Sequence, residues 1–232
     1  PLALLPYFIS LCAWLAITLW GFLKVVYRIA PHHVAFWLAL AFPGTFQNLI
    51  HGQNGFLSAG LLGGGLLLLD RQPWIAGFLL GLLSYKPHLA ALVPLALAAG
   101  RYWQALAGMI ITVTALAGVS ALILGFQVWA AFWHNLPLAL QLIQDGSIPL
   151  YKMPTVVAAV LEAGGRLWMA QVLQSLVTLG AAALVAVVWR RRLPLPFRGS
   201  VLALAALLAT PYAFSYDLVI LALPLAWLGW DI

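Results

Sequence analysis

Three short polar clusters interrupt an otherwise apolar chain, and their residue types suit a phosphorylated ligand rich in hydroxyl groups. The clusters are Gln53 with Asn54, Lys86 with His88, and Tyr212 with Tyr216 and Asp217. A lysine offers a point charge to a phosphate, amides and phenols hydrogen-bond sugar hydroxyls, and a carboxylate takes up a proton. We therefore treat these seven residues as the candidate site and ask which elements position them.

The composition places the clusters in a membrane protein. Of the 232 residues, 65% are hydrophobic and only 7% are charged, and the mean hydropathy is +1.04, whereas soluble domains are roughly half apolar and a quarter charged. Each bilayer crossing takes about 20 residues, so residues 1–232 are predicted to form a single integral membrane domain. The net charge of +6 comes mostly from scattered basic residues, which favours a topological role over nucleic-acid binding.

The apolar runs predict an all-α, polytopic transmembrane bundle with about nine spans, some of them short and broken. The predicted spans are 2–23, 33–50, 54–69, 73–85, 87–100, 103–126, 167–189, 199–213 and 217–230. With the first span ending inside, every arginine except Arg166 falls on the cytoplasmic side. The polar clusters then face outward, which predicts a multi-pass protein of the bacterial inner membrane with its active face outside.

Two of the predicted spans are too short to cross a bilayer. Residues 73–85 and 87–100 each give a helix of about 20 Å at 1.5 Å per residue. We interpret them as a hairpin, and Pro87 disfavours helix at the residue before it. The turn with Lys86 then lies below the outer surface, where a charge is tolerated only if protein or a watery cavity surrounds it.

Two further patterns concern packing and the outer side. Gly60 and Gly64, like Gly77 and Gly81, are four residues apart and predict close helix contacts. Residues 127–166 mix aromatic, apolar and polar side chains without a spanning pattern. They predict an outer interfacial segment followed by a loop.

Each candidate residue also has a structural interpretation. Asn54 could cap the helix that follows it, and Lys86 could extend to the outer headgroups. Asp217 could cap the last span, with Tyr212 and Tyr216 as interfacial aromatics. Because Cys12 is the single cysteine, disulfide and cysteine-based metal chemistry lack support, and we predict neither a metal nor a cofactor.

A family resemblance appears over most of residues 40–225. The segment HGQNGFLSAGLLGGGLLLLDRQPWIAGFLLGLLSYKPHLAALVPLALAAGRYWQALAG at 51–108 resembles the core of glycosyltransferase family 87, a mannosyltransferase-like branch of the GT-C membrane enzymes. The later stretches MPTVVAAVLEAGG and TPYAFSYDLVIL resemble two further segments of that family, in the same order.

The resemblance implies a hexosyltransferase that moves a sugar, typically mannose, from a polyprenyl phosphate to a lipid or glycan acceptor outside the membrane. Lys86, with His88, would stabilise the leaving phosphate, and Gln53, Asn54, Tyr212 and Tyr216 would orient the substrates. Enzymes of this class keep an essential acid in the first outer loop. None of the five acids here, Asp70, Asp145, Glu162, Asp217 and Asp231, occupies such a loop. We therefore expect a fragment that lacks the N-terminal part and is inactive alone, with Asp217 as the fallback base.

Two other functions remain open from the sequence. A transporter or flippase for a lipid-linked sugar would also need a lysine in a cavity between broken helices, and a structural membrane subunit would need no site at all. A transporter should show internal symmetry and polar residues on both sides of its gate. Neither feature is clear in this chain.

Overall fold

A computed structural model describes residues 4–135, 138, 141 and 148–229, and the regular elements within them are all helical. The α-helices are α1 (Tyr7–Ile29), α2 (His33–Ala41), α3 (Pro43–His51), α4 (Gly55–Leu68), α5 (Pro73–Leu82), α6 (Pro87–Ala90), α7 (Val93–Ala99), α8 (Trp103–Leu124), α9 (Phe126–Asn135), α10 (Val156–Glu162), α11 (Leu167–Arg190), α12 (Leu195–Ala209) and α13 (Ala222–Gly229). Short 3₁₀ helices cover Leu83–Tyr85, Leu150–Lys152 and Ser215–Leu221.

Three of these helices are long and apolar enough to cross a bilayer by themselves: α1, α8 and α11, with 23, 22 and 24 residues. Shorter apolar helices fill the space beside them, among them α4, α12 and the two arms on either side of Lys86. The core is formed by apolar side chains of α1, α4, α5, α7, α12 and α13. The all-α membrane bundle expected from the sequence is therefore confirmed.

The second predicted span, 33–50, is wrong as a single helix. The chain forms α2 and α3 instead, with Phe42 between them in an extended conformation at φ −65° and ψ 132°. Pro43 explains the break, because it lacks an N–H group and disfavours helix at the residue before it. The first helix also departs from expectation, since α1 continues past residue 23 to Ile29.

The hairpin predicted around Lys86 is confirmed, because the residues at the open ends of its two arms are in contact. The Tyr102 hydroxyl, just after the returning arm, donates a hydrogen bond to Asp70 Oδ1, just before the outgoing arm, at 2.7 Å. The returning arm is itself divided into α6 and α7. Both arms are therefore short, and the turn lies between two helix ends.

The two ends of the bundle differ in composition. One end, called the arginine end below, carries Arg28, Arg71, Arg101, Arg190, Arg191, Arg192 and Arg198, which lie at helix ends and connections around the Asp70–Tyr102–Arg198 contacts. The opposite end, called the polar end, carries Gln53, Asn54, Lys86, Tyr216 and Asp217, which hydrogen bonds and close contacts link directly or through neighbouring residues. The grouping of arginines inferred from the sequence is thus present in the fold.

Glycine allows α5 to pack closely against α8. A Cβ atom on Gly77 would overlap the carbonyl oxygen of Ala105, and one on Gly81 would lie 2.6 Å from Cβ of Thr112. The prediction of close packing at Gly77 and Gly81 is therefore confirmed. Such contact between backbones is typical of membrane helices, which gain little from burying apolar surface.

The glycines of α4 behave differently from the prediction. A Cβ atom on Gly60 or Gly64 would find its nearest neighbour at 3.7 or 3.6 Å, which is ordinary van der Waals contact. On Gly63 and Gly65 it would come within 2.6 Å of the side chains of Val25 and Leu80. The tight contacts in this run of α4 are thus made by Gly63 and Gly65, on either side of Gly64, and the prediction for Gly60 and Gly64 is wrong.

The described parts of residues 127–166 include most of α9 and all of α10. Trp129 Nε1 donates to Ser120 Oγ at 3.1 Å, which fastens α9 to the end of α8. At the polar end, the Ser215 hydroxyl donates to the Lys152 carbonyl at 2.9 Å, and Met153 packs under Tyr212. The interfacial location of this segment remains a prediction, and two of the five acids of the chain, Asp145 and Asp231, lie outside the described residues.

Candidate active site

A buried ion pair lies at the centre of the polar end. Lys86 Nζ is 2.5 Å from Asp217 Oδ1, although the two residues are 131 positions apart in the sequence. Lys86 is 8% exposed and Asp217 is 1% exposed. A charge removed from water this completely is stable only when it is paired, so each residue accounts for the burial of the other.

Local backbone chemistry places the lysine. Pro87 opens α6, and Lys86 before it takes φ −119° and ψ 77°, outside the α-helical region that proline disfavours at the preceding residue. The 3₁₀ turn Leu83–Tyr85 ends α5 on the other side. Lys86 is therefore fixed on a rigid turn between two helical segments rather than on a mobile loop.

Asp217 is fixed by its own helix. Its Oδ2 atom accepts a hydrogen bond from the Phe214 backbone N–H at 3.1 Å, at the start of the 3₁₀ helix Ser215–Leu221. The other carboxylate oxygen faces Lys86. The predicted capping role of Asp217 is thus real, and the same side chain also holds the lysine.

An aromatic ring completes the surroundings of the ammonium group. Lys86 Nζ lies 4.8 Å from the ring centroid of Tyr216, a distance at which a cation is attracted to an aromatic face. Phe214 stacks on Tyr216 with ring centroids 5.6 Å apart. The ammonium thus has a carboxylate and an aromatic face as partners, while its further N–H donors make no hydrogen bond to any residue that the structure describes.

A second network ties the turn to the start of α4. The Tyr85 hydroxyl donates to the Asn54 carbonyl at 3.0 Å and shares a 2.6 Å hydrogen bond with Ser58 Oγ. Trp14 Nε1 of α1 donates to the neighbouring Gln53 carbonyl at 3.4 Å. Residues 53–54 and the turn at 85–86 are therefore held at the same level of the bundle.

Several buried polar atoms near this level have no hydrogen-bond partner within the described residues. They are Asn48 Nδ2, Asn54 Oδ1 and His88 Nε2. Asn48 is fully buried, and its Oδ1 atom accepts from the Gly55 backbone N–H at 2.7 Å. Because an unpaired buried polar group is costly, these atoms are candidates for binding a polar ligand.

The predicted site residues are thus only partly assembled. Lys86, Tyr216 and Asp217 are in contact, and His88 lies two residues after Lys86, within α6. Gln53 contributes backbone hydrogen bonds. Tyr212 packs with its ring in the small apolar cluster around Met153 instead.

Two of the alternative interpretations are wrong. Lys86 does not extend toward the headgroups, because it is buried against Asp217. Asn54 stands at the N-cap position of α4, but its side chain makes no capping hydrogen bond. The Asn48 side chain binds the first N–H of α4 in its place.

Sequence reasoning missed three residues at this site: Asn48, Ser58 and Tyr85. Asn48 lies inside a run taken for a single span, and Ser58 lies inside an apolar helix, so each resembled a tolerated polar residue. Tyr85 directly precedes Lys86 and was the detectable one, since a tyrosine beside a buried charge usually has a hydrogen-bond partner.

Other features of the described residues lie outside this site. Within residues 4–135 and 148–229, no three His, Cys, Asp or Glu side chains gather as metal ligands would. A cavity of about 590 Å³ opens between α1, α2 and α13 and is lined by apolar residues such as Val26, Leu38 and Leu225. It lies toward the arginine end, and the residues that line it carry no polar or ionisable side chain.

The family can now be stated on independent grounds. The model for glycosyltransferase family 87 matches residues 1–211. The chain belongs to glycosyltransferase family 87. The matched range includes the Lys86 turn and ends just before the segment with Tyr216 and Asp217. No curated protein and no solved structure matches the chain. Membership, together with the apolar helices, establishes a membrane glycosyltransferase that uses a sugar donor and an acceptor.

Proposed function

We propose that this glycosyltransferase moves a mannosyl group from a polyprenyl-phosphate donor to a lipid or glycan acceptor, on the outer side of the bacterial cytoplasmic membrane. The single observation that carries the proposal is the buried Lys86 ammonium, held by Asp217 against Tyr216 at the polar end. The sidedness rests on the arginines, which short cytoplasmic connections prefer.

Lys86 acts on the leaving group. In the transfer, the acceptor hydroxyl attacks the anomeric carbon, the bond from that carbon to the phosphate oxygen breaks, and the polyprenyl phosphate leaves with the bonding electrons. Negative charge therefore grows on the phosphate. A lysine fixed beforehand in a water-poor site stabilises that charge without having to reorganise.

Asp217 positions the lysine. Its two carboxylate oxygens already accept from Phe214 N–H and from Lys86, so it is less available to take the acceptor proton than a free carboxylate. Asp217 therefore orients Lys86 and compensates its charge in the buried site. The acceptor proton passes instead to another carboxylate, the acid that the family resemblance places in the first outer loop.

The remaining polar atoms would bind the sugar. The unpaired Asn54 Oδ1 and Asn48 Nδ2 offer an acceptor and a donor, which is the complement that sugar hydroxyls need. The unpaired His88 Nε2 offers a third contact close to Lys86. The polyprenyl chain would enter sideways between helices, since it is as apolar as the membrane.

The test compares variants of the full-length protein at matched membrane levels, with polyprenyl-phosphate mannose as donor. Lys86→Ala alone leaves Asp217 buried and unpaired, so misfolding could imitate lost catalysis. The informative variant is Lys86→Met with Asp217→Asn, because replacing both charges of a buried pair is often neutral for stability. We expect wild-type folding and a rate lower by about 100-fold to 1000-fold.

Matched controls use the exposed lysines. Lys24→Met and Lys152→Met remove the same charge from exposed positions and should leave transfer unchanged. Lys86→Arg should rescue only in part, because a planar fork replaces a compact ammonium ion. Wild-type turnover in the Lys86/Asp217 double variant would overturn the role of the lysine, and faster transfer from a different sugar phosphate would overturn the assignment of mannose.

A further inference from the structure

The arginine end contains a polar cavity that the transfer reaction does not use. It has a volume of about 410 Å³ and lies between the connection at 100–102 and the start of α12. Its lining includes Arg101, Arg192 and Arg198 against the single carboxylate of Asp70. Three positive charges and one negative charge leave an excess of two positive charges facing one space.

Arg198 forms the buried wall of this cavity. It is 5% exposed, and its guanidinium carbon lies 5.1 Å from the ring centroid of Tyr102 and 5.2 Å from that of Trp189. Its Nη2 atom donates to the Tyr102 hydroxyl at 2.6 Å. Its Nε atom is buried and has no hydrogen-bond partner among the described residues. One donor of a rigidly held guanidinium thus remains unused.

The hydroxyl group of Tyr102 links Arg198 to Asp70 in this wall of the cavity. Burial, followed by the hydrogen bond to the Asp70 carboxylate, raises the pKa of Tyr102, so the phenol stays protonated. It therefore donates to Asp70 while it accepts from Arg198. Asp70 itself is largely exposed and lies 3.6 Å from Arg198, so water screens the attraction between its carboxylate and the guanidinium.

The N-termini of two helices add to the positive potential. The cavity is bounded by Leu195, the first residue of α12, and by Tyr102, which precedes α8. Neither helix receives a capping hydrogen bond from the side chain before it. The N-terminus of a helix carries partial positive charge and favours anions.

The two exposed arginines of the cavity have an unusual backbone. Within the described residues, Arg101 at φ 61° and Arg192 at φ 51° are the non-glycine positions with positive φ. Such a conformation is strained for a residue with a side chain, and glycine normally occupies it. At both positions an arginine adopts a conformation that glycine would adopt with less strain, and both residues line the same cavity.

We propose that this cavity binds a phosphate group, supplied by the headgroup of an anionic phospholipid. A basic pocket between membrane helices is the kind of site that binds such headgroups. Trp74 and Trp103 at the same end are more than half exposed, as expected of aromatic residues at the level of the headgroups. The site is independent of the proposed sugar transfer, because it lies at the opposite end of the bundle.

The experiment measures lipid retention by the purified full-length protein in a neutral detergent. Phosphatidylglycerol and phosphatidylcholine of equal chain length are added separately, and bound lipid is counted by native mass spectrometry. We expect wild-type protein to retain at least about tenfold more phosphatidylglycerol, a difference of about 1.4 kcal/mol in binding free energy. The variant Arg101→Gly with Arg192→Gly should lose this preference.

Glycine is chosen because it accepts positive φ without strain, so the variant keeps its fold while it loses both guanidinium groups. The control, Arg28→Gln with Arg71→Gln, removes the same two charges from exposed positions at the same end and should keep the preference. Equal loss in both variants, or no loss in the glycine variant, would overturn the site. Inorganic phosphate should displace the retained lipid at millimolar concentration. Binding of inorganic phosphate without any preference for phosphatidylglycerol would overturn the lipid as its source.

Discussion

Each end of the bundle has an ion pair between an early and a late part of the chain, and the two pairs differ in the exposure of the acid. At the polar end both side chains are buried, since 11% of the Lys86 side-chain surface and 1% of the Asp217 side-chain surface are exposed. At the arginine end the Arg198 side chain is 6% exposed, whereas Asp70 is 64% exposed. The buried charge of Asp217 is therefore stabilised by Lys86, while the charge of Asp70 is also stabilised by water.

This difference separates two ways of burying a cation. The charge of Lys86 is compensated directly by Asp217, whose carboxylate lies 2.5 Å from the ammonium nitrogen. Arg198 is held mainly by Tyr102 and Trp189, and its acid is 3.6 Å away. A guanidinium tolerates this environment because it is weakly hydrated and stacks on aromatic rings. The arginine therefore retains capacity for an external anion.

The largest effect is expected from breaking the buried pair. Asp217→Asn keeps an acceptor for the Phe214 N–H but leaves Lys86 buried without its counter-ion. We expect the free energy of unfolding to fall by about 3–5 kcal/mol, measured by titrating the protein from mild detergent into dodecyl sulfate. The double variant Lys86→Met/Asp217→Asn should recover most of that loss. A single variant as stable as wild type would show that the pair is not buried in the membrane-embedded protein.

A smaller effect is expected at the arginine end from Tyr102→Phe. The change removes the hydroxyl that links Asp70 to Arg198 and keeps the ring on which the guanidinium lies. Loss of such a hydrogen bond costs about 1 kcal/mol, and the same detergent titration measures it. Sugar transfer should stay within about twofold of wild type, since a structural effect of this size does not reach the other end. A tenfold drop in transfer would contradict the separation of the two ends.

The smallest effect is expected from Asp70→Asn. The amide still accepts from Tyr102, and the lost charge was mostly in water, so the cost should lie below about 1 kcal/mol. Salt screens exposed charges. The difference in free energy of unfolding between Asp70→Asn and wild type should therefore shrink further when sodium chloride is raised from about 50 mM to about 500 mM, which shortens the Debye length roughly threefold. A loss equal to that of Asp217→Asn would remove the distinction between the two pairs.

Much of the fold followed from local patterns. The short arms around Lys86 predicted a hairpin, and the meeting of Tyr102 with Asp70 confirms it. The spacing of Gly77 and Gly81 predicted close packing, which α8 provides. The break at Pro43 escaped notice because the residues on both sides are apolar, and hydropathy does not distinguish one span from two shorter helices.

The site was predictable only in part, because its members come from distant segments. Lys86 and Asp217 were both candidates, but nothing local indicates that they meet. Asn48 gave no signal, since a single amide in an apolar run has many harmless explanations. That two arginines line one cavity was likewise hidden, because Arg101 and Arg192 resemble the scattered basic residues of short connections between membrane helices.

The sequence by itself determined that the protein lies in a membrane, that its fold is helical and which family motifs it carries. These properties depend on composition and on short-range patterns, which do not require contacts with distant segments. It also determined that Lys86 stands on a turn, since Pro87 acts on the residue beside it. Only the tertiary structure decided which charges are paired, which polar atoms are left free and which arginines face one space. Those properties depend on contacts between segments about 100 residues apart, and the choice among such contacts is made by packing of the whole bundle rather than by local sequence.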